Sequence, residues 1–371
     1  MVPVSCGRLL FLVGVLTMLV SCHKSEPVRL GFVAGLTGRV ADLGVAGRNG
    51  VQLAVEQRNA AGGINGRPIE LIVKDDEQNP ETAKRVVGEL IGQQVEVIVG
   101  PMTSSMAMAV MPQVNASPSI ILSPTVTTTD LGGLDDNFLR VIAMTADYAS
   151  KSARYQFEKL GVRTVSVIYD SSNKSYTESW LNGFRTAFSA LGGRITLIKS
   201  FHSGQETVFV PIVQQLLKAK ADSVLIISNA VDSALICQQL RKLSPSQRIT
   251  MAEWASTERF TELAGASAEG VVVSQFLDRN DTSRRYRDFL AAYRARYRQE
   301  PGFAGVAGYD AAQVALRAYD LRKEGESIKS AIINGRSFQG VQQSLHIDRF
   351  GDADRKTFVT VIRGNKYITV E

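Results

Sequence analysis

Short runs of β-branched and apolar residues alternate with longer segments of helical periodicity along this 371-residue chain. We predict strands at residues 28–33, 69–74, 95–99, 120–122, 164–169, 195–199, 223–227, 248–251 and 271–274. Two parallel neighbours in a sheet need a crossover between them, and that crossover is usually a helix. The alternation therefore predicts an α/β protein whose parallel sheets are covered by helices.

The helix predicted after the second strand shows the helical pattern clearly. Asn79 supplies an N-cap, Pro80 occupies the first helical position and Glu81 places an acid in the first turn. One apolar face follows at helical spacing, made of Ala83, Val86, Val87, Leu90 and Ile91. Later helices are predicted through Tyr155 and Leu160 and at residues 178–191, 208–219, 231–243, 282–298 and 305–323. Two short strands at 357–362 and 367–370 end the chain.

Length and composition indicate two globular lobes. At about 150 residues per domain the chain holds about two, and the pattern restarts after Ala143. Hydrophobic residues make up 44% and charged residues 21%, which argues against a disordered or polytopic membrane protein. The net charge of +6 comes from dispersed basic residues, so we expect no nucleic-acid partner.

The first 21 residues read as an export signal. Arg8 precedes an apolar run of residues 9–20, which is shorter than the roughly 20 residues that a membrane-spanning helix needs. The run ends at Ser21 and Cys22 and resembles a bacterial lipobox, which implies cleavage before Cys22 and lipidation of its thiol. The alternative is an ordinary signal peptide with an incidental cysteine. Residues 22–27 would then form a short tether in the periplasm or at the cell surface.

Motifs for catalysis and for metal binding are missing from the sequence. It contains no Gly-x-Gly-x-x-Gly, no Walker A loop, no Gly-x-Ser-x-Gly and no His-Glu-x-x-His. Three cysteines and three histidines are too scattered for a zinc site. His202 and His346 are isolated, and Asp75 with Asp76 reads as solvated loop charge or as a cleft-facing pair. We therefore expect no enzymatic activity, no metal and no cofactor.

Residues 100–105 combine the end of a strand with hydroxyl side chains at the start of a helix. A helix N-terminus presents unpaired N–H groups and a positive partial charge, so it can hold a carboxylate without lysine or arginine. Ser104 is placed to donate to such an anion, or alternatively to cap its own helix. A second hydroxyl cluster at residues 123–129 follows the next strand. It would complete the anion site or serve as turn chemistry.

Several short motifs together resemble the type I periplasmic solute-binding proteins of the leucine/isoleucine/valine-binding family. They lie at residues 30–33, 36–38, 61–66, 75–76, 99–101, 103–105, 122–124 and 308–311. The resemblance covers nearly the whole mature chain. It implies two Rossmann-like doubly wound lobes joined by three crossover strands, with a ligand clamped between them by hinge closure. It divides the chain into 28–143 plus 277–343 and 144–276 plus 344–371.

The resemblance also implies a carboxylate site on the first lobe. Ser104, Thr125 and Thr127 match the family's contacts to the ligand α-carboxylate. Thr103 and Ser123 flank these positions and are further candidates for contact with the ligand.

On the second lobe, the family's acid for the ligand ammonium aligns near Glu253 with a one-residue gap. Glu253 is thus the candidate partner, or a solvated loop acid. Trp254 either lines the side-chain pocket or packs the lobe. Tyr176 stands two residues later than the family's tyrosine, and the tyrosine expected near Asn229 is absent. We therefore expect an amino acid or related small carboxylate, and these departures leave branched-chain specificity open.

The function implied is that of a lipid-anchored, monomeric binding protein that delivers its ligand to an ABC permease. Two alternatives also involve binding of a ligand in the cleft. In one, the closed form signals to a chemoreceptor or a histidine kinase. In the other, the ligand is an amide such as urea or an aromatic acid. A cell-envelope enzyme would need a catalytic group in the cleft, and the sequence offers no candidate.

Overall fold

The computed structural model describes residues 26–204, 207–335 and 337–371. The predicted signal peptide, Cys22 and most of the tether lie outside the described residues. None of the helices in the described ranges is long and apolar enough to cross a membrane.

The first lobe is built on a five-stranded sheet of order β2-β1-β3-β4-β5, in which all neighbouring strands are parallel. Its first elements are β1 (Val28–Ala34), α1 (Ala41–Ala60), β2 (Ile69–Asp75), α2 (Pro80–Gly92), β3 (Val97–Val99), α3 (Ser104–Asn115), β4 (Ile120–Ser123) and β5 (Phe138–Arg140). The chain later returns to this lobe with α9 (Arg284–Tyr297), α10 (Gly302–Leu321) and α11 (Ile328–Gly335).

The second lobe contains a seven-stranded sheet of order β15-β14-β10-β9-β8-β6-β7. Its elements are α4 (Thr145–Arg154), β6 (Thr164–Asp170), α5 (Lys174–Ala190), β7 (Arg194–Phe201), α6 (Phe209–Lys218), β8 (Ser223–Ile227), α7 (Ala230–Leu243), β9 (Arg248–Met251), α8 (Glu258–Ala264), β10 (Val272–Gln275), β14 (Phe358–Arg363) and β15 (Lys366–Thr369). Strands β14 and β15 are antiparallel additions to an otherwise parallel sheet. The predicted α/β class with two lobes is confirmed.

A small antiparallel sheet corrects the predicted boundary between the lobes. It consists of β11 (Ser337–Gln339), β12 (Ser344–Ile347) and β13 (Ala353–Asp354). The predicted boundary at 343 and 344 falls between β11 and β12, which pair with each other. The backbone N–H of Arg140 in β5 donates to the carbonyl of Gly351, which attaches the small sheet to the first lobe. We therefore place the last passage between lobes at residues 355–357.

Two predicted helices differ from those observed. The helix predicted through Tyr155 and Leu160 is α4 followed by one π-helical turn, Tyr155–Lys159. Helix α5 begins at Lys174 and not at residue 178, directly after a short 3₁₀ turn. Helix α5 therefore starts at the edge of the cleft, which brings its N-terminus towards the first lobe.

The side chain of Arg355 joins the three segments that pass between the lobes, residues 141–144, 276–283 and 355–357. Its Nη1 donates to the carbonyl of Val141 at 3.0 Å, and its guanidinium lies 3.8 Å from the centre of the Phe276 ring. Its Nη2 donates to Asp310 of α10 at 2.6 Å, and both side chains of this ion pair are fully buried. One side chain thus fixes all three segments relative to α10.

Helices α1 and α10 pack backbone against backbone. A Cβ atom at Gly50 would lie 2.1 Å from the carbonyl oxygen of Gly305, and one at Gly308 would lie 2.3 Å from that of Gly47. Only glycine permits this approach. The close packing fixes the N-terminal ends of both helices, which carry Leu43 and Phe303 to the cleft.

Candidate functional site

A small cavity lies between the two lobes. From the first lobe and the first passage it is lined by Leu43, Met102, Thr103, Ser104, Thr125, Thr127, Ile142 and Phe303. From the second lobe it is lined by Asn173, Tyr176, Glu253 and Trp254. Seven of the eight residues predicted to bind ligand are therefore brought together around one small space.

The loop that follows strand β3 places the first residue of α3 at this cavity. Gly100 follows β3 with φ of 102°, and a Cβ there would lie 2.0 Å from the carbonyl oxygen of Val33, so glycine is required. Ser104 is the first residue of α3 and is 1% exposed, and its Oγ has no hydrogen-bond partner among the described residues. The hydroxyl of Thr103 instead pairs with the side chain of Gln78 at 2.9 Å. Thr103 is thus a wall residue with an occupied hydroxyl.

The loop after β4 contributes one more unused hydroxyl. Thr127 is 1% exposed, and its Oγ1 finds no partner in the described part of the chain. The Thr125 hydroxyl donates to the carbonyl of Met102 at 2.6 Å, so it can offer a ligand only its acceptor side. Nη1 of Arg140 donates to the carbonyl of Thr128 at 2.9 Å and holds the loop in place.

Ser123, also predicted as a ligand contact, does not line the cavity, and its hydroxyl is already paired. Its Oγ donates to the carbonyl of Pro101 at 3.0 Å and accepts from the N–H of Val126 at 3.1 Å. Both bonds close the turn that carries Thr125 and Thr127, which is the turn chemistry considered for this cluster.

The acid of the cavity is Glu253, in a single 3₁₀ turn after β9, Glu253–Ala255. It is 5% exposed, so the alternative of a solvated loop acid is wrong. Its Oε2 accepts from Nε1 of Trp180 at 2.8 Å, whereas Oε1 has no partner within the described residues. Burial raises the pKa of Glu253 to about 7, against smaller opposing effects of its own backbone and of Trp180 and Tyr176.

Two aromatic residues form the rest of the wall on the second lobe. The rings of Tyr176 and Trp254 meet edge to face with centroids 5.5 Å apart. The backbone N–H of Trp254 donates to the Tyr176 hydroxyl at 3.4 Å. Trp254 therefore both lines the cavity and packs the lobe. Burial raises the pKa of Tyr176 well above its usual value, so its hydroxyl stays neutral.

The N-termini of α3 and α5 cap each other across the cleft. The N–H of Ser105 in α3 donates to Oδ1 of Asn173 at 3.0 Å, and the N–H of Ser175 in α5 donates to Oγ of Ser105 at 3.3 Å. Capping bonds satisfy N–H groups that a helix leaves unpaired at its start. Here each helix depends on the opposite lobe for one of these bonds.

Further contacts between the lobes lie beside the cavity. Arg39 forms an ion pair with Asp232, and the hydroxyl of Thr257 donates to Asp42 at 2.6 Å. The lobes are thus held together by polar bonds on more than one side of the cavity.

The charge distribution in the cavity is uneven. The first lobe contributes a helix N-terminus and two hydroxyl donors, which suit an anion. The second lobe contributes a buried carboxylate, which suits a cation. In the residues that the structure covers, no group of three or more His, Cys, Asp or Glu side chains could hold a metal ion. Asp75 accepts from the N–H of Leu36 and the hydroxyl of Thr37, so it shapes a loop outside the cavity.

Several residues of this site were not predicted from the sequence. Asn173 is preceded by polar loop residues and carries no signal beyond helix capping. The apolar lining of Leu43, Met102, Ile142 and Phe303 is indistinguishable in sequence from ordinary core. Trp180 lies in the middle of an amphipathic helix, and its hydrogen bond to Glu253 is visible only in the structure.

Comparison with known proteins places residues 27–365 in the family described as periplasmic binding protein. The Leu/Ile/Val-binding protein BraC3 of Rhizobium johnstonii is 24% identical over 340 residues, covering 89% of this chain and 90% of that protein. The Leu/Ile/Val-binding protein of Escherichia coli K12 is 21% identical over 329 residues, covering 88% of each chain.

Solved structures share the fold. The branched-chain amino acid transporter substrate binding protein LivJ of Streptococcus pneumoniae, in complex with isoleucine, is 24% identical with a TM-score of 0.86. The match covers 93% of this chain and 99% of that one. A solute binding protein of an ABC transporter from Rhodopseudomonas palustris, in complex with 3,4-dihydroxybenzoic acid, is 21% identical with a TM-score of 0.82. It matches 93% of this chain and 96% of its own.

Proposed function

This chain belongs to the periplasmic binding protein family, and from that premise we propose that it captures an α-amino acid for an ABC importer. The ligand would enter the cleft between open lobes and be enclosed when they close. The protein would act by binding alone, without chemical turnover.

One observation carries this proposal. The cavity has unpaired hydroxyl groups that suit an anion on one side and an unpaired carboxylate oxygen that suits a cation on the other. Ser104 Oγ and Thr127 Oγ1 on one side and Glu253 Oε1 on the other are buried without hydrogen-bond partners among the described residues. Buried polar atoms are nearly always paired with protein groups or with ordered water, so three unpaired ones around one cavity support a bound polar molecule. A carboxylate and an ammonium group on one small molecule meet both needs.

The closed arrangement supports capture by hinge closure. Ser104 and Glu253 belong to different lobes, so only closure brings both to the ligand. Charge-assisted hydrogen bonds formed in such a buried space are about twice as strong as neutral ones. The ligand would therefore bind the closed form far better than either lobe alone.

Delivery to a permease is the role we propose because the pneumococcal LivJ is described as a transporter substrate binding protein. We propose a monomer as the working unit.

An aromatic carboxylate is a second candidate ligand. Tyr176, Trp254 and Phe303 line the cavity, and two fold neighbours were solved with 3,4-dihydroxybenzoic acid and with benzoate. Such a ligand would use the anion side of the cavity and leave Glu253 without a cation.

A thermal-shift screen of residues 24–371 against amino acids, amides and aromatic acids tests both candidates. Ligand at 100 times its Kd stabilises a protein by about 2.7 kcal/mol. For the ligand found, Ser104→Ala or Thr127→Ala is expected to weaken binding by about 5- to 150-fold, since each removes a hydrogen bond to a charged group. Calorimetry gives the affinities. Ser189→Ala, an exposed hydroxyl on α5, is the matched control and should bind as the wild type does. Unchanged affinity in both cavity variants would refute the carboxylate site.

The lipid anchor at Cys22 remains a proposal from the sequence. We expect mass spectrometry of the membrane fraction to find an acylated N-terminus at Cys22, and Cys22→Ala to shift the protein into soluble fractions. Cys6→Ala is the matched control, because Cys6 would be removed with the signal. An unmodified Cys22 in the mature protein would contradict the anchor.

A further inference from the structure

The carboxylate of Glu253 accepts a hydrogen bond from the indole N–H of Trp180. We propose that Trp180 is the positioning residue that aims one oxygen of Glu253 at the ligand and so makes the site selective for an ammonium group. This inference rests on the proposed capture of an amino acid.

Trp180 is itself rigidly held. It is fully buried in α5, and its ring stacks on Phe184 with centroids 5.7 Å apart and an interplanar angle of 16°. Phe184 in turn stacks on Phe188 at 5.0 Å. An indole has one N–H donor and no acceptor, so a buried tryptophan has one bond to give. Trp180 gives it to Oε2 of Glu253, which leaves Oε1 as the oxygen that can receive a ligand.

The part of the chain that the structure describes supplies no cation for this carboxylate. Across the described ranges, no lysine or arginine forms an ion pair with Glu253 or appears among the influences on its pKa. An isolated buried charge is costly unless it is paired and hydrogen-bonded. An ammonium group on the ligand would provide the missing charge, whereas a neutral or purely anionic ligand would not.

Trp180 is not alone beside Glu253: the Tyr176 hydroxyl also favours the ionised carboxylate and lowers its pKa, but by less than Trp180 does. Tyr148 of α4 and Tyr176 of α5 face it, and the buried hydroxyl of Tyr148 has no hydrogen-bond partner in the described structure. From α7, Asp232 is ion-paired with Arg39. The other titratable residues of α7 point to distant carbonyls or to solvent: Cys237, Arg241 and Lys242. Strand β10 carries no titratable residue.

Removing the indole N–H should therefore raise the pH at which Glu253 ionises. A hydrogen bond to a charged group is worth about one to two pKa units, and this donor favours the ionised carboxylate. Without it the pKa of Glu253 rises further above about 7. The loss of affinity is then largest at low pH and disappears once the pH exceeds the raised pKa.

The test is the ratio of Kd values, Trp180→Phe over wild type, measured by calorimetry for an amino acid ligand between pH 6 and pH 9. Comparing the two proteins at each pH cancels the titration of the ligand. We expect a ratio of about 10 to 80 at pH 6.5 and of less than about 3 at pH 9. Phe184→Leu perturbs the same aromatic stack without touching the donor and should show a ratio that does not depend on pH. In a Glu253→Gln background, Trp180→Phe should lose its pH dependence.

A benzothienylalanine at position 180 replaces the indole N–H by sulfur in a ring of nearly the same shape. It gives the same test if Trp180→Phe fails to fold. A ratio that is equal at all pH values, or equal to one, would overturn the role of Trp180. If wild-type protein binds no amino acid, the proposed function fails first, and this outcome is recognised before any variant is compared.

Discussion

Replacing Glu253 by glutamine is expected to weaken binding of an α-amino acid by between about 30-fold and a few thousand-fold. Removing one partner of a buried, hydrogen-bonded charge pair costs about 2–5 kcal/mol in binding. Glutamine keeps the shape and can still accept from Trp180, so the loss reports the charge. Calorimetry at pH 8 measures it, where the wild-type carboxylate with a pKa of about 7 is ionised. Glu262→Gln, an exposed acid on α8, is the matched control.

The same variant should remove two pH dependences, one of ligand affinity and one of stability. Wild-type affinity should rise as the pH rises through about 7, because ionised Glu253 binds the ammonium, and Glu253→Gln should abolish this rise. In the ligand-free protein the sign is opposite. Burial raises the pKa from about 4.3 in the unfolded chain, so ionisation removes stability as the pH climbs from that value through about 7. Ligand-free Glu253→Gln should therefore be more stable than wild type at pH 8. If Glu253→Gln binds the ligand as tightly as wild type does, the ligand carries no cation and is, for example, an aromatic acid.

Asp310→Asn is expected to lower the free energy of unfolding by about 3–5 kcal/mol, because it leaves the Arg355 guanidinium buried without its counter-charge. Asparagine can still accept from the N–H of Val341, which Asp310 does at 2.7 Å, so the loss is that of the ion pair. Urea unfolding followed by circular dichroism measures the change.

The exposed pair of Arg294 and Glu300 is the matched control for this prediction. Their side chains are 52% and 47% exposed, and Glu300→Gln should cost less than about 1 kcal/mol. Replacing both buried partners, in Asp310→Leu with Arg355→Met, should recover much of the stability, because apolar side chains carry no desolvation penalty. A cost for Asp310→Asn as small as that of the control would contradict the structural account.

The α/β architecture was predictable because the sequence pattern of buried parallel strands is strong. Strands such as β1 and β8 are apolar runs bounded by polar residues, and their helices carry one apolar face. Strand β5 was missed because three residues, Phe138–Arg140, are too few for a periodic signal. The small sheet of β11 to β13 was missed for the same reason, and with it the lobe boundary after residue 343.

Hydroxyl chemistry after strand ends pointed to this edge of the sheet, and the family resemblance selected Ser104 and Thr127 within it. Ser104 and Thr127 follow strand ends, and the carboxyl ends of parallel strands converge on one edge. Thr103 and Ser123 have the same chemistry, but Gln78 and the carbonyl of Pro101 already occupy their hydroxyls. Such pairing depends on contacts between segments 20 or more residues apart, which a sequence pattern does not record. Trp180 was missed for that reason, since 73 residues separate it from Glu253.

The reciprocal caps between α3 and α5 bear on how long a ligand stays bound. Opening the cleft breaks the bonds of Ser105 with Asn173 and with Ser175 together, and uncovers both helix ends at once. If the lobes open to admit a ligand as proposed, these bonds form only on closure and would act mainly on the dissociation rate. On the proposed capture mechanism, the residence time of a ligand would depend partly on these two helix ends and not only on the contacts that the ligand makes.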